Sequence, residues 1–235
     1  MKRFWEAALA VPRPEGGYGV VLDGRPLRLP GGSILTTESR PLAEAIADEW
    51  HKAGGAKDGE MRQEDVPLTR ILGAAQERIA PDPMPMVEGI ATFGATDLLC
   101  YRAEDHRLAA RQAEAWQPLL EWAALVLDAP LRVTQGVMPV AQAPESLAAL
   151  QAAVARHDPA GLAALGVAVP ALGSLVLGLA LSLGRLDADE AHRLAILDDM
   201  FQAEFWGSDA EAEARRADRL DEVRLAQRFM ALVAA

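Results

Sequence analysis

Two kinds of hydrophobic pattern divide the chain. The first forty residues carry short apolar runs bounded by glycine, proline and aspartate, the signature of strands and tight turns. Tyr18-Gly19-Val20-Val21-Leu22 predicts a strand, Asp23-Gly24 a hairpin turn, and Pro26-Leu27-Arg28-Leu29-Pro30 the return strand. Asp-Gly supplies the positive-φ backbone that a two-residue hairpin needs. Gly31-Gly32 turns the chain again into Ser33-Ile34-Leu35-Thr36-Thr37, so the unit reads as a three-stranded meander. So small a sheet needs a cover. The helix predicted over 40–51, with Leu42, Ile46, Glu49 and Trp50 near helical spacing, provides one.

The pattern then becomes helical. A polar loop over 54–64 precedes a helix that starts near Val66-Pro67 and runs to about Ile79. Pro81, Pro83 and Pro85 end it, because closely spaced prolines cannot continue a helix. The domain boundary is placed there, giving a β-rich unit over 1–80 and a helical unit over 81–235. Further helices are expected over 86–100 and 144–156. Leu108, Gln112, Ala115, Leu119, Trp122 and Val126 form one stripe on a helix bent or interrupted at Pro118. Pro170 is read in the first turn of a buried helix that ends near Gly184. Asp187-x-x-Glu190 resembles a capping box opening a helix to Trp206, and Ser208-x-x-Glu211 opens the last one. The fold class is α+β: a small β-rich N-terminal part followed by a larger all-α part.

Residues 159–184 carry no charge over 26 positions, enough to span a bilayer on length alone. Two prolines and five glycines interrupt that stretch. It is read as a buried core hairpin, so no stable membrane insertion is expected. The start of the chain has Lys2 and Arg3 but no apolar run of signal-peptide length, and Glu6 interrupts early.

Charge narrows the function. The net charge of −11 argues against a nucleic-acid binder, whose affinity is built from clustered Lys and Arg. A single cysteine, Cys100, cannot close an internal disulfide and reads as core packing rather than as an activated thiol. His51, His106, His157 and His192 stand apart, with no zinc spacing among them. No phosphate-binding glycine loop or nucleophile elbow is present in the sequence. No cofactor, metal or catalytic residue is assigned, and the chain is not read as an enzyme.

The acidic C-terminal third holds the candidates. Between Asp187 and Glu222 lie twelve acidic residues against four arginines. A helical wheel over the segment ending at Trp206 gathers Leu194, Ile196, Leu197, Met200, Phe201 and Phe205 into an apolar arc. Glu204 falls inside that arc, and Asp198 sits at its edge. An unpaired carboxylate there is costly. Three readings stay open for Glu204: an internal arginine partner or an exposed rim, an interface acid awaiting a partner's Arg or Lys, or a catalytic acid. Asp198-Asp199 reads as a solvated helix face, since a metal site would need a second acidic pair. Asp199, Trp206, Asp209 and Glu211 complete the candidate partner-binding set with Asp198 and Glu204. Of Trp5, Trp50, Trp116, Trp122 and Trp206, most are expected in the core, and an exposed one would be a binding anchor.

Several collinear segments resemble one family. They are Leu22-Asp23-Gly24-Arg25-Pro26-Leu27, Leu42-Ala43-Glu44-Ala45-Ile46-Ala47-Asp48-Glu49-Trp50 and Pro67-Leu68-Thr69-Arg70. Asp97-Leu98-Leu99-Cys100-Tyr101-Arg102-Ala103 follows, with Arg111-Gln112 and Trp116-Gln117-Pro118-Leu119-Leu120. The last is Leu197-Asp198-Asp199-Met200-Phe201-Gln202-Ala203-Glu204-Phe205-Trp206-Gly207. Together they resemble the Atp12-type assembly chaperones of the F1 sector of ATP synthase. The resemblance implies a β-rich domain followed by a helical one. It also implies binding of the free F1 α subunit, as a monomer, shielding its subunit interface until the β subunit replaces the chaperone. Family-like sequence from the first few residues implies a bacterial, cytoplasmic member. The competing reading is a hydrolase using the acidic cluster on the C-terminal helices.

Overall fold

The structure, a computed structural model, describes residues 2–207 and 209–235. It divides into two compact units: residues 1–83 with 228–235, and residues 84–227.

In the first unit the hairpin forms around Asp23 and Gly24, both at positive φ. Strand β2 (Tyr18–Leu22) is central. It pairs antiparallel with β1 (Ala8–Pro12) along one edge. Its other edge is shared by β3 (Arg25–Pro26), opposite Val21 and Leu22, and β4 (Thr36–Thr37), opposite Tyr18 and Gly19. The meander expectation therefore needs two corrections. β1 was not foreseen, because Ala8-Leu9-Ala10-Val11-Pro12 lacks an alternation of polar and apolar residues, although Pro14-Glu15-Gly16-Gly17 beside it is a turn signal. The return strand shrinks to two residues, because the chain arches away over 27–35 with one bridge, Arg28 to Ile34.

Helix α1 (Arg40–Lys52) covers the sheet with Leu42, Ala43, Ile46, Ala47 and Trp50. Ser39 caps it by accepting from Leu42 N–H. Trp5 and Trp50 pack against each other in this core as a tilted pair with centroids 4.9 Å apart. Trp5 Nε1 donates to the Trp50 carbonyl, and Trp50 Nε1 to Thr69 Oγ1. Helix α2 (Pro67–Ala74) has no capping side chain of its own. Glu49 of α1 caps it instead, accepting from Leu68 N–H at 2.7 Å and Thr69 N–H at 3.2 Å. A π-turn over Ala75–Ile79 follows. Its Gln76 and Glu77 satisfy backbone groups of the 31–36 arch. Arg3, buried to 4 % exposure, donates to the carbonyls of Trp5, Glu6, His51, Ala53 and Gly55. A buried guanidinium is tolerated there because its donors are met by backbone oxygens.

The second unit is helical. Helix α3 (Met84–Ala91) is shorter than the expected 86–100, which continues as two 3₁₀ turns, Thr92–Thr96 and Leu98–Cys100. Strand β5 (Tyr101–Arg102) leads into α4 (His106–Val126), which runs through Pro118. Its buried face is Leu108, Gln112, Trp116, Leu119, Leu120 and Ala123. The expected stripe is right at one end and wrong at the other, for Val126 is 57 % exposed. A strict seven-residue repeat drifts round a helix of 3.6 residues per turn, and the true face moves with the helix. β6 (Thr134–Gln135) pairs in parallel with β5, and α5 (Pro144–Ala155) follows.

The uncharged stretch forms two helices, α6 (Pro159–Leu172) and α7 (Leu175–Ser182). Gly173 ends the first in the left-handed conformation and Ser174 caps the second. Pro170 thus lies near the end of α6, not in the first turn of a later helix. Apolar residues on all sides of α7 mark it as central to the packing. Among the described residues no helix is long and apolar enough to cross a membrane. Asp97, fully buried, ties this region together by accepting from Leu99 N–H, Ser174 Oγ–H and Val176 N–H.

Asp187 caps a helix as expected, accepting from Glu190 N–H. That helix is α8 (Ala188–Ala195), and a break at Ile196 separates it from α9 (Leu197–Trp206). The single helix to Trp206 is therefore two. The last helix is α10 (Ala210–Ala234). The proposed opening residue Ser208 lies outside the described residues. Asp209 accepts from Ala212 N–H at 2.7 Å and caps that helix.

Candidate functional site

α4 and α9 bring the charged and aromatic candidates together. α4 supplies Arg107, Arg111 and Gln112, and α9 supplies Asp198, Phe201, Glu204 and Phe205. Arg107 and Arg111 lie four residues apart, hence on one helical face.

Glu204 accepts from Arg111 Nη1 at 2.6 Å, and both side chains are about half exposed. Of the readings open for Glu204, an internal arginine partner is what the structure places there. The Arg111 guanidinium draws its carboxyl below the ordinary carboxylate value, the opposite of what a proton-donating acid needs. Phe201 and Phe205 pack in a tilted pair with centroids 5.0 Å apart. Arg107 lies over Phe205 at 4.9 Å and over Phe201 at 5.8 Å, and Arg111 over Phe201 at 5.1 Å. Two cations over two rings give this face a cation–π lattice. Phe201 is buried, whereas Met200, Phe205 and Trp206 are exposed, Trp206 to 89 %.

Asp198 and Asp199 point to different partners. Asp198 is half-buried and accepts from Gln112 Nε2 at 2.7 Å. Burial pushes its carboxyl above the ordinary value, against that hydrogen bond. Asp199 is exposed, 3.9 Å from Arg219 on α10. Neighbours in sequence on a helix diverge by about 100°, so the two acids do not converge on one point. Among the described residues no group of three or more His, Cys, Asp or Glu is placed to hold a metal. Asp199, Trp206 and Asp209 line a cleft of about 470 Å³ between α9 and α10, with Gln202, Arg215, Arg216 and Arg219. Glu211 lies outside it and pairs along its own helix with Arg215 at 2.6 Å. Cys100 is buried, its thiol pushed up to about 12 chiefly by burial, which leaves it unreactive as a nucleophile.

Reading the sequence missed Arg107 and the pairing role of Arg111. Their spacing on the polar side of α4 was the available signal, but it does not say which helix they face.

Comparison with known proteins gives this arrangement its place. The family model described as "ATP12 chaperone protein" matches residues 2–124. The crystal structure of Atp12 from Paracoccus denitrificans matches with a TM-score of 0.90 and 45 % identity, covering 99 % of this chain and 98 % of that one. The Atu1473 protein of Agrobacterium tumefaciens matches with a TM-score of 0.89 and 39 % identity, covering 98 % and 85 %. The mitochondrial protein atp12 of Schizosaccharomyces pombe is 26 % identical over 219 residues, 88 % of this chain and 74 % of that protein. The class these matches define is a chaperone. The chain belongs to the ATP12 chaperone family, and its role is in the assembly of ATP synthase.

Proposed function

We propose that the protein binds the free α subunit of the F1 sector and shields its subunit interface until the β subunit takes its place. An unassembled subunit of an obligate ring exposes a large apolar surface. Covering it requires complementary surface and no bond-making chemistry. We place this activity in the bacterial cytoplasm, with the free chaperone a monomer.

The observation that carries the reading is the α9 face. Met200, Phe205 and Trp206 are exposed beside Asp199 and Glu204 on a helix whose buried anchor is Phe201. An exposed tryptophan beside an exposed Phe and Met is the composition of a binding hot spot. Asp198, Asp209 and Glu211 extend the acidic character of that region. A client arginine or lysine meets these carboxylates in competition with the chain's own Arg111, Arg219 and Arg215, and its apolar edge has rings to cover.

Glu204→Lys tests the site. It reverses a charge on an exposed helix and also breaks the Arg111 pair, so a thermal melt and α9 hydrogen exchange close to the parent's are required alongside it. Co-purification with the F1 α subunit is expected to fall at least tenfold, about 1.4 kcal/mol. Undiminished co-purification with an intact fold removes this face from the interface.

A further inference from the structure

Gln112 on α4 is 1 % exposed, and both ends of its amide are used. Its Oε1 accepts from Ala103 N–H at 2.7 Å and its Nε2 donates to Asp198 Oδ1 at 2.7 Å. The first bond determines the second. With its oxygen given to a backbone N–H, the amide can present only donors at its other end. The partner there must be an acceptor, and a carboxylate is the strongest one available.

The contact joins two places distant in sequence. Ala103 follows β5 and precedes α4, and Asp198 lies in the first turn of α9. Nearby, Trp116 Nε1 of α4 donates to the Leu194 carbonyl at the end of α8 at 3.0 Å, and Asp199 of the same turn lies 3.9 Å from Arg219. The residue at the N-cap of α9, Ile196, offers no side-chain cap. Phe201 is the buried residue of the helix, and the Arg111–Glu204 pair is open to solvent. Water competes with an exposed pair far more than with one whose donor is buried. Among the polar contacts of α9 with α4, the Gln112 bond is therefore the shielded one.

We infer that Gln112 is a positioning residue: by holding Asp198 it seats α9 on α4 and so fixes where Glu204, Phe205 and Trp206 are presented. The inference rests on the reading of α9 as the client face. Gln112 itself touches no client, being buried.

Exchanging the polarity of the pair tests it. Gln112→Glu keeps the shape and the acceptor for Ala103 N–H but turns a carboxylate oxygen towards Asp198. Gln112→Glu with Asp198→Asn restores one donor and one acceptor in the reverse order at unchanged net charge. Two readouts are taken on the full chain: hydrogen exchange of the α9 amides, and capture of the purified F1 α subunit. Gln112→Glu is expected to speed α9 exchange roughly tenfold or more and to weaken capture, while amides of α6 and α7 keep their protection. The double variant is expected to recover the slow α9 exchange, and capture is read in Gln112→Glu against the parent. If α9 exchange is unchanged in Gln112→Glu, or is not recovered in the double variant, the inference is overturned. If exchange rises and recovers while capture stays constant throughout, the seating role stands and the reading of α9 as the client face falls.

Discussion

Asp97 and Asp198 show how differently two carboxylates of one unit can be placed. Asp97 is fully buried and meets Leu99 N–H, Ser174 Oγ–H and Val176 N–H. It serves the fold by joining a 3₁₀ turn to the start of α7. Asp198 is half-buried, with Gln112 Nε2 as its donor, and burial raises its carboxyl above the ordinary value of 3.8. A carboxyl raised in the folded state stabilises the fold most below its unfolded value. That contribution is lost as pH rises through the folded value. Asp198→Asn keeps an acceptor for Gln112 and removes the buried charge. Its melting temperature at pH 7 is expected to equal or exceed that of the parent, and the difference to close as pH falls towards 3.8. A variant clearly less stable than the parent at pH 7 would show that the charge itself is needed there. Neither carboxylate's role could be read along the chain. Asp97 belonged to a recognisable segment, but Ser174 and Val176 are more than seventy positions away. Gln112 appeared in a helical stripe as one buried position among apolar ones, with nothing to indicate its two partners.

Helices were legible where their signals are local. Asp187 before α8 and the Asp23-Gly24 turn act through neighbours within a few residues, and the helix start and the hairpin were anticipated. Breaks inside apolar runs were harder. Gly173-Ser174 ends one helix and caps the next, yet Gly161, Gly166 and Gly178 stand nearby within helices. Packing decides between them. A Cβ added at Gly178 would overlap Val169 Cγ2, a branched side chain with little freedom to move. A Cβ added at Gly166 would meet the terminal Cε of Met86, which can swing aside. Gly178→Ala is therefore expected to lose about 1–3 kcal/mol by overpacking. Gly166→Ala is expected to lie within about 1 kcal/mol of the parent, with some gain in helix propensity. Urea titrations give both numbers. Equal costs would mean that α6 and α7 pack less tightly at Gly178 than this overlap requires. β1 was missed for the opposite reason: its five residues carry no strand pattern, and only pairing with β2 makes them a strand.

For the whole molecule, composition excluded more than it identified. A charge of −11 and scattered histidines argued against nucleic acid and zinc, but an acidic surface alone names no partner. The α+β class, a small β-rich part followed by a larger helical one, was foreseen. The chemistry of the second unit is an acidic and aromatic helix face held by α4, with Arg107 and Arg111 set against its rings. We read that face as complementary to a client edge that is both basic and apolar. Purified F1 α subunit, mixed with this protein and followed by light scattering and gel filtration, tests the proposal most directly. A defined complex, suppressed aggregation of the α subunit, and release of the chaperone when the β subunit is added are the predicted results. An α subunit that aggregates at an unchanged rate and never elutes with the chaperone would contradict the account.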